Sequence, residues 1–296
     1  MSYFTELFNL SIKNVNIPVI WKSVVIIPIL KPGKLTDQGS SYCPISLLCP
    51  AVKTLEKLLL PYITGPLSRA PSQHGFAPFH STTTALLPIV TKIAEGFNAN
   101  KPHQSATVGI DIAKAFVSVD HTLLINKITH TPLHPNQVRW LATYLRGRTA
   151  SCHYQHAKSP LRIIHTGVPQ GHVLSPALFN FFMADCPNVT ELTTSYADNF
   201  TILESSPELQ ELEHKLSVDM TAISQWAEQN NFKIPLSKSQ VTLFTPDTHQ
   251  SRYHPQVHVN GDLIPLEKTP KTLGVTLDTH YSFTHHVSNV TTKVSN

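Results

Sequence analysis

Tyr196-Ala197-Asp198-Asn199 is the stretch on which the reading of this chain turns. Leu192-Thr193-Thr194-Ser195 precedes it and Phe200-Thr201-Ile202-Leu203 follows it. These β-favouring runs predict two strands joined by a tight turn that carries the acid. Upstream, Val108-Gly109-Ile110-Asp111 reads as an apolar strand delivering a second aspartate to a sheet edge. A lone strand-end Asp is ordinarily a turn or cap residue, so Asp111 gains weight only from its context. Part of that context is Gly167-Val168-Pro169-Gln170-Gly171, which lies between the two acids in the chain.

Composition narrows the classes. With 296 residues the chain can bury a substantial core, as one large domain or two lobes. No stretch approaches the roughly 20 apolar residues of a membrane span. The run Val24-Val25-Ile26-Ile27-Pro28-Ile29-Leu30 is short and broken by proline, so it reads as a buried strand. No basic region followed by an apolar one opens the chain, so no secretory signal is expected. Four cysteines without a C-x-x-C pair argue against a zinc site and a disulfide framework, and suit a reducing compartment. The expected location is therefore intracellular, nucleus or cytoplasm. A net charge of +4 permits a nucleic-acid partner without demanding one. Charged residues make up 14%, against roughly 25% in ordinary soluble domains. Six arginines stand against 17 histidines. Neutral histidine lacks the permanent charge and forked donors that hold phosphate well.

The chain has no internal repeat or low-complexity tract, and its 23 prolines are dispersed. Apolar spacing predicts helices over residues 4–10, 51–62 and 82–97, with strands over 24–29, 107–112 and 240–244 and a turn-rich loop over 32–41. The strongest helix spans 206–231, where Leu209, Leu212, Leu216, Met220, Ile223 and Trp226 recur at steps of three and four. Ser206 is the expected N-cap, Pro207 the first helical residue and Asn230-Asn231 the stop. Strand–helix–strand units around a turn-borne acid describe an α+β fold.

Further blocks extend the pattern. Trp21-Lys22 leads to Lys31-Pro32-Gly33-Lys34 and Tyr42-Cys43-Pro44-Ile45-Ser46-Leu47-Leu48, and Gln73-His74-Gly75-Phe76 to Ser81-Thr82-Thr83. Asp111-Ile112-Ala113-Lys114-Ala115-Phe116 comes next, then residues 167–176 with Phe179-Asn180, then the tetrapeptide. The Trp226 helix with Lys238-Ser239, and Leu273-Gly274-Val275 with His286-Val287, close the series. In this order the blocks resemble the reverse transcriptase domain of non-LTR (LINE-type) retrotransposons: a fingers signature, its following block, motifs A, B, C and D, then motif E with the primer grip. The resemblance implies a right-hand polymerase fold with fingers and palm, the thumb largely missing. Residues 1–105 would be an N-terminal segment and fingers, 106–275 the palm with motifs A to D and the start of E, and 276–296 the end of the primer grip and a truncated start of the thumb. No endonuclease-like segment precedes the fingers, so a degenerate and truncated copy is expected.

The activity implied is RNA-directed DNA polymerisation, a nucleotidyl transfer to a primer 3′-hydroxyl assisted by two divalent cations about 4 Å apart. Hard cations take oxygen ligands. By resemblance Asp111 and Asp198 would bind the metals, with the Ile112 carbonyl as a further ligand and Asn199 in the catalytic pair. Phe116 would lie under the sugar and select deoxynucleotides, while Gln170 and Gly171 would lie along the nascent base pair. Lys31 or Lys34 would neutralise the triphosphate and Lys238 would donate a proton to pyrophosphate, although each lysine also reads as a solvated surface charge. Leu273 and Gly274 would belong to the primer grip. The implied cofactor is two Mg²⁺ ions, with Mn²⁺ as substitute. The implied partners are an RNA template, a DNA primer and dNTPs, without a membrane and without a strong sign of an oligomer.

Departures from the family's pattern are as informative. Cys43, Ala77 and His80 stand where arginine is usual, Val117 and Asn199 where aspartate is usual, and His172 where a small residue is usual, adding bulk beside the nucleotide pocket. The arginine missing at Cys43 would contact the incoming triphosphate. Arg→Cys, Arg→His and Asp→Asn are all reachable by single C-to-T or G-to-A changes, a pattern that, with the histidine excess, points to a gene eroding by cytosine deamination. Some viral RNA polymerases use an Asp-Asn pair in this turn. The expectation is a polymerase domain with weakened activity; the alternative is a catalytically inactive, nucleic-acid-binding relic.

Overall fold

The computed structural model describes residues 3–188, 190 and 192–295. Its strands run, in chain order, β1 (Ser23–Leu30), β2 (Tyr42–Leu47), β3 (Gln104–Asp111), β4 (Arg148–Tyr154), β5 (Ala157–Lys158), β6 (Arg162–Ile164), β7 (Leu192–Tyr196), β8 (Asn199–Ser206) and β9 (Ser239–Phe244). Four two-residue strands follow: β10 (His258–Val259), β11 (Asp262–Leu263), β12 (Lys271–Thr272) and β13 (Val275–Thr276). Contacts divide the chain into two compact units. One takes the chain up to Arg69 together with Lys114–Ala184, and the other takes Ala70–Ala113 together with the chain from Asp185 onward. Among the described residues no helix is long and apolar enough to cross a membrane.

The first unit is built on a sheet ordered β2-β1-β4-β5, with β6 also paired to β4. β1 runs antiparallel to β2 along residues 25–30 and parallel to β4 along residues 23–26. Pro28 therefore lies beyond the stretch of β1 that needs two neighbours, facing Pro44 across the β1–β2 ladder. A residue without an N–H is tolerated where only one side of the strand is paired.

The second unit is built on an antiparallel sheet ordered β7-β8-β3-β9. β3 sits between two partners, which explains its near-continuous burial in place of a clean alternation. The Thr82–Phe97 and Leu209–Gln229 helices pack on this sheet. Ile89, Ile93, Leu203, Phe244 and Leu277 are buried together in a core cluster, each large apolar side chain stabilising the fold by about 1.5–3 kcal/mol. A reciprocal cap starts the first helix: Thr84 N–H donates to Ser81 Oγ at 3.3 Å and Ser81 N–H to Thr84 Oγ1 at 2.8 Å.

The long helix corrects one expectation. It runs from Leu209 to Gln229, with Glu208 rather than Ser206 at its N-cap. Ser206 is claimed by the sheet, as the last residue of β8 opposite Gln104. Its hydroxyl still accepts from Glu208 N–H at 3.1 Å and donates to Glu211 at 2.7 Å. The stop falls where the sequence puts it, with Asn230 as the C-cap and Asn231 in the left-handed region at φ +59°.

Candidate active site

The predicted turn is present. β7 and β8 are closed by the pair Tyr196↔Asn199, leaving Ala197-Asp198 as a two-residue loop. The β3–β8 register ends on Asp111↔Asn199, so the turn acid Asp198 and the β3 carboxylate belong to one end of one sheet. Ile112 N–H donates to the Asp198 carbonyl at 3.3 Å, tying the chain after β3 to the turn. Ala197 takes φ +57°, a left-handed conformation unusual for a residue with a Cβ.

The electrostatics are those of crowded acids. Burial pushes the Asp198 carboxyl above its usual value, and the Asp111 charge adds to the push while Lys238 opposes it. Lys238, from the short helical turn Leu236–Lys238, donates from Nζ to Asp111 Oδ1 at 2.8 Å. Both partners are part-exposed, at 48% and 36%, so the pair is worth little as stability. Its chemical meaning is larger, since a cation already sits on one of the two carboxylates. A polar cavity of about 210 Å³ opens beside them, lined by Asp111, Asn199, Lys238, Lys271 and Thr272 among others. Leu273 and Gly274 follow directly as the turn between β12 and β13, both at positive φ.

The donor set fits a hard divalent cation. It offers two carboxylates whose mutual repulsion a cation would relieve, together with the Asn199 amide and nearby backbone carbonyls. Among the described residues no group of three or more His, Cys, Asp or Glu side chains could hold a metal.

The remaining predicted residues belong to the first unit. Phe116 stacks on Phe179, with ring centroids 4.2 Å apart and planes 14° from parallel. Gln170 lines a small cavity with Val24, Pro44, Val117 and Arg148. Gly171 takes φ +81°, and a Cβ there would stand 3.3 Å from the Ser46 carbonyl oxygen. Lys31 and Lys34 are exposed on the loop after β1. His172 departs from its expected place beside a pocket. It turns inward and is buried, with Nδ1 on the Glu56 carboxylate and Nε2 accepting from Arg148 Nη2 at 2.6 Å. Burial lowers its pKa, which keeps it neutral between those partners. Glu56 also accepts from Val173 N–H at 2.6 Å and Leu174 N–H at 3.2 Å, so it anchors the loop after Gly171.

Two candidate residues escaped the sequence reading. Lys271 lines the polar cavity, and its place two residues before Leu273-Gly274 was the signal available. Gln73, inside the Gln73–Phe76 motif, carries no local sign of a role, yet it is bound to the Asp198 turn.

Residues 29–277 match the model of the family described as reverse transcriptase (RNA-dependent DNA polymerase). The chain is 31% identical, over 97% of its length, to the RNA-directed DNA polymerase from mobile element jockey of Drosophila funebris. It is 30% identical, over 98% of its length, to the probable RNA-directed DNA polymerase from transposon BS of Drosophila melanogaster. It covers 32% and 33% of those two proteins, so it spans about a third of the relatives it matches. Among solved structures, an apo telomerase from Candida tropicalis truncated from its C-terminal domain superposes with a TM-score of 0.57 at 11% identity, over 94% of this chain and 58% of that one. That likeness, with the family match, gives the right-hand polymerase fold.

Proposed function

The chain belongs to the reverse transcriptase family, and from that premise we propose that it is an RNA-directed DNA polymerase domain of a retrotransposon, with weakened activity. The observation that carries the reading is the register pair Asp111↔Asn199, with Asp198 in the adjoining turn. That arrangement supports two carboxylates acting on one reaction centre. The family works with divalent metal ions; we assign two Mg²⁺, with Mn²⁺ as substitute. When bound, such ions activate the primer 3′-hydroxyl and steady the departing pyrophosphate.

The chain's own residues then take these roles. Asp111 and Asp198 supply the charged ligands, the Ile112 carbonyl a neutral one, and the Asn199 amide oxygen a weaker one than the usual aspartate. Lys238 holds Asp111 before substrate arrives and, once released, serves as the proton donor to pyrophosphate. Phe116 selects the deoxyribose, Gln170 and Gly171 line the nascent pair, Lys31 and Lys34 meet the triphosphate, and Leu273-Gly274 grip the primer. The partners are an RNA template, a DNA primer and dNTPs. The motif-based division into fingers (1–105), palm (106–275) and the end of the primer grip with the start of the thumb (276–296) is retained with this reading.

Primer extension on an RNA template with dNTPs, first in Mg²⁺ and then in Mn²⁺, tests it. Weak extension that Asp111→Ala and Asp198→Ala each abolish is expected. Extension that survives both changes would refute the assignment. The second reading, an inactive relic that still binds nucleic acid, is favoured by one observation: Asn199 replaces a charged ligand beside a carboxylate already paired with Lys238. Template binding without extension in either metal would establish it.

A further inference from the structure

Gln73 holds the Ala197 peptide from both sides. Its Oε1 accepts from Ala197 N–H at 2.9 Å and from Gly75 N–H at 2.7 Å, while its Nε2 donates to the Ala197 carbonyl at 3.0 Å. Two N–H groups on one side and a carbonyl on the other fix the orientation of the amide. Gln73 is 1% exposed, so these bonds are made out of water. The segment that carries it is itself fixed to the hairpin: His74 N–H donates to the Ser195 carbonyl and Ser195 N–H to the Ser72 carbonyl, each at 2.8 Å. Gly75 makes the approach feasible, since a Cβ there would stand 2.2 Å from Ala197 N.

The residue so held is the one that needs holding. Ala197 sits at φ +57°, which a side chain with a Cβ disfavours, and it immediately precedes Asp198. A two-residue hairpin loop favours positive φ at its first position, but a residue with a Cβ is strained there, so without the clamp Ala197 would hold that conformation, and with it Asp198, less firmly. We propose that Gln73 is a positioning residue for Asp198, keeping the turn in the left-handed conformation that sets the two aspartates together. The inference rests on the reading of those aspartates as a metal-binding pair.

Mn²⁺ binding to the full chain, followed by electron paramagnetic resonance, tests it without requiring polymerisation. Gln73→Met keeps the side chain's length and removes every hydrogen bond. It should weaken Mn²⁺ binding about tenfold while far-ultraviolet circular dichroism stays that of the wild type. Adding Ala197→Gly should restore most of the affinity, because glycine reaches the left-handed region unaided. A purely structural role for a buried amide would not be rescued at position 197. Should Gln73→Met not fold, Gln73→Asn, which keeps the amide but shortens its reach, must show the same loss and the same rescue. Wild-type affinity in the folded Gln73 variant, or no rescue by Ala197→Gly, overturns the inference while leaving the metal pair intact, provided Asp198→Ala abolishes binding. An Asp198→Ala chain that binds Mn²⁺ like the wild type overturns the metal-pair reading and this inference with it.

Discussion

Gly167→Ala should be among the most damaging single-methyl additions to this chain. Gly167 takes φ +91°, and a Cβ there would meet backbone: Val117 Cα at 2.7 Å, the Val117 carbonyl oxygen at 2.9 Å and the Phe116 carbonyl oxygen at 3.0 Å. Backbone cannot swing aside as a flexible side chain does, so the two segments must part. What joins them is a set of short bonds, Gly167 N–H to the Val119 carbonyl at 2.7 Å, Val168 N–H to the Phe116 carbonyl at 2.8 Å and Thr166 Oγ1 to the Val117 carbonyl at 2.9 Å. Three such bonds at about 1 kcal/mol each, with about 1–2 kcal/mol for a side chain in the left-handed region, put the loss at about 4–5 kcal/mol. That is a large share of the 5–15 kcal/mol typical of a folded domain. In urea the midpoint should fall by about 1–2 M. Gly147→Ala is the internal control: it has φ +66° but no atom within 4 Å of its added methyl, so it should lose only the conformational part. Equal losses for the two variants, or less than about 1 kcal/mol for Gly167→Ala, would show that the 116–119 segment yields freely and would refute the reasoning.

If the aspartate pair binds metal as proposed, Asn199→Asp adds a charged oxygen to it and should tighten Mn²⁺ binding about tenfold or more; calorimetry that finds no change would remove position 199 from the proposed site. Its effect on primer extension should stay small until Cys43→Arg is added. Phe116→Ala should admit ribonucleotides in any polymerising form of the chain, and unchanged sugar discrimination would refute the sugar-selecting role proposed for Phe116. Asp219 is buried, and burial first, then the charge and hydrogen bond of Glu204, raises its pKa from 3.8 to about 7. The folded state therefore holds that proton more tightly than the unfolded state. The resulting stabilisation is complete below about pH 3.8 and is lost as pH rises through about 7. Urea midpoints between pH 5 and 8 should fall with rising pH in the wild type and flatten in Asp219→Asn; parallel slopes would refute this.

The sequence was most legible where neighbours in the chain decide the structure. Residues 192–203 alternate around a two-residue turn, and the hairpin forms where the pattern puts it. The Thr82–Phe97 helix appears with its predicted bounds because its cap and its apolar stripe are both local. Legibility failed where a partner far along the chain intervenes. Ser206 is an apt N-cap locally, but it pairs with Gln104, roughly a hundred residues away in sequence, and the strand keeps it. The Lys238–Asp111 pair spans 127 positions and the Gln73 clamp 124, and no periodicity reports such meetings. His172 looked like added bulk because a substitution shows only size; Glu56 and Arg148, which give the ring buried partners, become visible only in three dimensions.

The interleaving of the two compact units bears on how the chain is made. Each unit is assembled from two stretches, with the chain crossing between units after Arg69, Ala113 and Ala184. As the ribosome emits the N-terminus, β1 emerges long before its parallel partner β4, and β3 waits for both β8 and β9. The first unit can therefore close only after residue 184 has been made, and the second only after β9. The nascent chain must carry unpaired strand edges through most of its synthesis, the state in which chaperones are most needed and aggregation is fastest. No single cut isolates one unit from the other, because a stretch of one always lies between the two stretches of its neighbour, so expressing a unit by itself would mean joining its two stretches by a new linker.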